Sequence, residues 1–103
     1  MQAMGNWRDY IDPTPLFFPK PIQDRWYRNH ARPMEDLWVV QLRNGRLGLV
    51  GGRVATSRDR EVLINFCLVN HVTGSTVRRL ALPEGTRIHR MKPAAPRLGG
   101  AHL

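Results

Sequence analysis

Fourteen of the sixteen basic side chains in this 103-residue chain are arginines. A guanidinium suits one chemistry above others: it is planar, permanently charged, and presents paired donors that match phosphate. The formal net charge of +8 is unevenly spread. Residues 1–36 balance five bases against five acids, whereas residues 37–91 set nine arginines against Asp59, Glu61 and Glu84, and Lys92 and Arg97 follow. Such an excess attracts polyanions, nucleic acid first among them. The same composition arises when Arg, Ala, Gly and Pro rise together in GC-rich coding sequence, so charge alone assigns no partner.

The arginines that local geometry can gather are Arg43 and Arg46, flanking Asn44-Gly45, then Arg53, and Arg58 and Arg60 in the loop Thr56-Ser57-Arg58-Asp59-Arg60. Arg78 and Arg79 form a second group whose side chains leave a strand on opposite faces. Contacts of this kind neutralise phosphates and read little base sequence.

Catalysis finds less to work with. His30, His71, His89 and His102 form no metal-ligand spacing with Cys67 or a carboxylate, and Ser57 and Ser75 have no base beside them in sequence. Gly45 to Gly52 lacks the Gly-Lys-Ser/Thr ending of a phosphate loop, so its glycines read as bends. No catalytic residue, metal or cofactor is expected. Cys67 has no internal disulfide partner, which fits a reducing, cytoplasmic setting. No run approaches the roughly 18 apolar residues of a membrane span, and Met1 to Tyr10 has no apolar signal region, so no membrane association is expected.

The elements that must position these residues fall into three zones. Residues 1–36 carry five prolines (Pro13, Pro15, Pro19, Pro21, Pro33), which predict an extended arm over Asp12 to Pro21 and a short helix over about 21–31. Leu16, Phe17 and Phe18 are expected to pack on the chain's own domain. Residues 37–91 read as five strands: Leu37–Arg43, Arg46–Thr56, Glu61–Val72, Thr76–Leu82 and Thr86–Met91. Turns are expected at Asn44-Gly45, Thr73-Gly74-Ser75 and Pro83-Glu84-Gly85. A two-residue turn at Asn44-Gly45 sets Arg43 opposite Arg46 and puts Trp38, Val40, Leu42, Leu47 and Leu49 on one core face. Residues 92–103 read as a flexible tail. The fold class is therefore mainly β, a small five-stranded SH3-like barrel with an N-terminal proline-rich arm and short helix.

The stretch Val39-Val40-Gln41-Leu42-Arg43-Asn44-Gly45-Arg46, followed by Leu49-Val50-Gly51-Gly52 and Val62-Leu63-Ile64, resembles the first motif of the Sm-like (LSm) proteins. The resemblance implies an N-terminal helix and a five-stranded barrel. It does not carry the family's RNA site: the Asp and Asn of that site fall near Ser57 and Glu61, and the Arg-Gly of the second motif near Glu84-Gly85.

The leading functional expectation is a non-catalytic protein that binds nucleic acid, DNA or RNA, through Arg43, Arg46, Arg53, Arg58, Arg60 and Arg78. The alternative is a homo-oligomeric interaction or adaptor module, because a strand pair over 61–82 would be apolar on both faces and need covering twice. A small enzyme or ligand carrier is a third option.

Overall fold

The computed structural model describes residues 7–93. Its central strand, β1 (Asp36–Gln41), alternates as the sequence does: Leu37 and Val39 are buried on one face, Trp38 and Val40 turn to the other. Both faces are covered, so β1 lies inside a mixed α/β domain. β4 (Thr76–Ala81) pairs antiparallel along its whole length, from Asp36↔Ala81 to Gln41↔Thr76. β3 (Arg53–Ser57) takes the other edge through Trp38↔Ser57 and Val39↔Thr56. β2 (Leu49–Val50) pairs with the start of β3, and β5 (Ile88–Arg90) runs parallel to β3 through Val54↔Ile88. No ladder joins β4 to β5 among the described residues. The five-stranded sheet is open, so the expected barrel is not formed.

The largest departure explains why. Residues expected as the strand Glu61–Val72 form the helix α2 (Arg60–Val69). Asp59 caps it, accepting from the Glu61 amide at 3.0 Å, and Leu63 and Cys67, four apart, face the sheet with Phe66. The helix ends with paired bonds from Val72 N to Cys67 O (2.9 Å) and His71 N to Leu68 O (3.3 Å), with His71 left-handed at φ 57. That is the Schellman arrangement, with histidine where glycine is usual. The strand pair over 61–82 therefore does not exist. One greasy side of that segment is the buried face of a helix. Oligomerisation through a doubly apolar strand pair loses its premise.

The first hairpin differs by one residue. Leu42 N donates to Arg46 O and Gly45 N to Leu42 O, so the loop is Arg43-Asn44-Gly45 with Gly45 at φ 87. A three-residue loop shifts the register and turns Leu47 to the opposite face, where it packs with Leu37, Val39, Val54 and Ile88. Leu49 is exposed. Arg43 no longer opposes Arg46, which relieves the like-charge pair. Gly51-Gly52, both at positive φ, make a second tight turn into β3, so Arg46–Thr56 is not one continuous strand.

The N-terminal arm covers the face opposite α2. After a short 3-10 turn (Trp7–Tyr10), Asp12 N bonds Gly85 O, and Ala31 exchanges backbone bonds with Gly85 and Thr86. The segment 85–88 is thus gripped on two sides. Between these attachments the arm is not extended throughout: Phe18 N bonds Pro15 O in a turn, and α1 (Lys20–Trp26) begins on prolines, shorter than the expected helix. Leu16, Phe17 and Phe18 do not pack on the domain; Phe17 is 97% exposed. The expected tail lies, from residue 94 onward, outside the described residues.

Candidate anion-binding cleft

Three stretches of chain meet around a cleft of about 380 Å³: the end of α1 and the turn after it (Tyr27, Arg28, Arg32), the β3–α2 turn (Ser57, Arg58, Asp59), and the stretch leaving β5 (Arg90, Lys92, Pro93). Five bases line it with one acid, Asp59, whose carboxylate is committed to capping α2. The size is that of a small-molecule or single-residue site.

Glu35, itself not a lining residue, braces the bases of the cleft. Its carboxylate receives a fork from Arg90, Nη2 to Oε1 at 2.9 Å and Nη1 to Oε2 at 2.8 Å, and the Arg32 amide donates at 3.1 Å. Arg58 Nη2 lies 3.4 Å from Oε2. Burial alone would raise the Glu35 pKa, but the bonds from Arg90, Arg32 and Arg58 and the charge of Arg90 outweigh it and hold the carboxyl at about 2. Arg90 also donates to the carbonyls of Tyr27 (3.1 Å) and His30 (3.2 Å). It therefore ties β5 to the arm, and is a strut more than a free ligand.

Tyr27 forms one wall. Its hydroxyl donates to the Glu84 carboxylate, and the Arg32 guanidinium lies 4.8 Å from the ring centroid. The hydrogen bond to Glu84, burial and the Glu84 charge raise the phenol's pKa against the lowering influence of Arg32, so the tyrosine stays neutral. Arg32 also approaches Asp24 at 3.8 Å. Arg28 and Lys92 have no acidic partner among the described residues. The free cationic capacity thus sits on Arg28, Lys92 and the exposed Arg58, with Arg32 beside them.

Arg58 is the single residue of the expected set that lies in this cleft. Arg43, Arg46 and Arg78 gather at the hairpin end of β1. Arg78 Nη1 donates to Gln41 Oε1 (3.1 Å), Gln41 Nε2 to Gly45 O (3.2 Å), and the Arg43 guanidinium packs over Gly74. Trp38, opposite Ser57, and Arg43 are separated by five residues of chain, or about 16 Å in extended form. Arg53 donates to Asn29 O (3.1 Å) and Arg60 pairs with Glu61 (3.3 Å). Arg79 turns to the other face, 5.7 Å from the Trp38 ring centroid. Arg28, Arg32, Arg90 and Lys92 escaped the sequence reading because they lie in a neutral zone, a terminal stretch and a short edge strand. The turn Arg32-Pro33-Met34-Glu35, with a base and an acid at its ends, was the signal available.

Three groups capable of other chemistry, His30, Ser57 and Cys67, are occupied. His30 has Trp26 O at 2.8 Å on Nδ1 and the Asp12 carboxylate at 2.9 Å on Nε2, and stacks on Trp26 at 3.7 Å. Ser57 Oγ accepts from the Asp59 amide at 3.0 Å. Cys67 is buried, with the Ser75 hydroxyl donating to its Sγ at 3.7 Å. Among the described residues no three His, Cys, Asp or Glu side chains cluster as metal ligands, and no helix is long and apolar enough to cross a membrane. The chain matches no protein-family model, no curated protein and no solved structure at a significant level.

Proposed function

We propose that this protein is a non-catalytic nucleic-acid-binding module whose contact centre is the Glu35-braced cleft. Arg28, Arg32, Arg58 and Lys92 neutralise phosphates there, while Arg90 and Glu35 keep the walls in register. One observation supports this reading: five bases from three separate chain segments converge on one cleft, and two of them have no acid to answer them among the described residues. A solvated surface charge finds a neighbouring carboxylate or points away from its like, whereas here like charges are held together by structure, which costs energy unless an anion joins them. The hairpin group of Arg43, Arg46 and Arg78 offers a second phosphate contact further along the sheet.

The test is salt-dependent binding of a labelled oligonucleotide by fluorescence anisotropy. Four phosphate contacts on a single strand give a log–log salt slope of about −2.8, or roughly 50-fold weaker binding between about 50 and 200 mM salt. The double variant Arg28→Ala, Lys92→Ala is expected to halve that slope. Full retention of the slope in the double variant, or no binding at about 50 mM salt, overturns the proposal.

A further inference from the structure

The arm carries a feature the cleft does not explain. Leu16, Phe17, Phe18 and Ile22 are all exposed, and the Phe17 ring is almost wholly in solvent. Exposed apolar side chains this close in sequence on a small basic protein mark a contact site. Nor is the turn a loose tip: Phe18 N bonds Pro15 O at 3.1 Å, and Gln23 Nε2 donates to the carbonyls of both Pro15 (3.0 Å) and Leu16 (3.2 Å). Proline on either side limits its freedom further. The ring is held outward before any partner arrives.

What lies beside the turn identifies the partner. Ile22, Arg25 and Arg28 recur every third residue and are all exposed, and the chain stays helically wound past α1 through Arg28 N to Arg25 O (3.3 Å). Ile22 with Arg25, and Arg25 with Arg28, are neighbours three apart, and Arg28 lines the cleft. Arg25 and Arg28 have no acidic partner among the described residues, and the one acid on this helix, Asp24, is shared between Lys20 (3.2 Å) and Arg32 (3.8 Å). A second copy of a +8 chain seated here would set unpaired arginines against arginines. An anionic strand carrying flat rings satisfies both the apolar turn and these arginines.

We infer that the turn Leu16–Phe18 is a stacking platform, and that the nucleic acid taken by the cleft is single-stranded. This inference rests on the proposed reading of the cleft. Phosphates lie on Arg25, Arg28 and the cleft bases, and an unpaired base stacks on Phe17 with Ile22 flanking it. A duplex keeps its bases paired and cannot offer a face to the ring.

The experiment compares a labelled oligothymidylate of about twelve nucleotides with a duplex of the same length. Phe17→Ala is expected to weaken single-strand binding about 10-fold with the salt slope unchanged, to leave duplex binding unaltered, and to be rescued by Phe17→Tyr. Because Phe17 contacts so little of the domain, this substitution does not threaten folding. If Phe17→Ala and Phe18→Ala both leave single-strand affinity within twofold while the Arg28/Lys92 variant loses it, the platform is refuted and the cleft reading stands. If neither probe binds the unaltered protein, both fall. A dimer that Phe17→Ala dissociates without touching oligonucleotide affinity assigns the turn to self-association and overturns the inference.

Discussion

Replacing Glu35 by glutamine removes the negative charge that braces Arg90 and Arg58 of the cleft and nearly keeps the side chain's shape. In the folded protein the carboxyl titrates at about 2, against an ordinary 4.5. A folded pKa below the unfolded one means stability that is fully present above the unfolded value and lost as pH falls through the folded value. The shift corresponds to about 3 kcal/mol at neutral pH, more than half of which is gone by about pH 3 and nearly all by about pH 2. E35Q should therefore be less stable than the parent by about 3 kcal/mol at pH 7, and the gap should close steadily below about pH 4.5. Urea unfolding of both proteins at several pH values measures it, and the difference between them cancels the other carboxylates. A gap that stays constant down to pH 2 would refute the assignment of Glu35 as an ionised brace. The same substitution leaves Arg90 one amide oxygen in place of a two-oxygen carboxylate, beside its carbonyl acceptors on Tyr27 and His30, and removes the charge that pairs with Arg58.

Two further substitutions test the backbone. His71→Gly relieves a left-handed residue at the end of α2 and should raise stability by up to about 1 kcal/mol, or about 4–8 °C in Tm. Gly85→Ala should cost more than about 2 kcal/mol in urea unfolding, because Gly85 lies at φ 91 and a Cβ there runs into the carbonyl of Asp12, which anchors the arm.

Local chemistry was legible in the sequence wherever it acts over a few residues. The alternation of Leu37 to Gln41 made β1 a strand, Asn44-Gly45 made a turn, and Pro83-Glu84-Gly85 made another, with Gly85 at the positive φ such a turn needs. Glycine and proline act through sterics that no distant contact can remove. The segment from Arg60 to Val69 was different. Its Val, Leu, Ile and Phe suit either a strand or a helix, and Asp59 as a cap was the local hint of the latter. Tertiary packing decided the matter, because only one helical face meets Val40, Leu42 and Val77. The one-residue change in the first hairpin followed from the loop length chosen by Gly45, and it moved Leu47 across the sheet. The cleft was beyond sequence reach for a related reason. Glu35 and Arg90 are 55 residues apart, and only the parallel seating of β5 on β3 brings the fork to the carboxylate. Composition determined that the chain would be strongly cationic; long-range strand pairing decided which cations share a cleft.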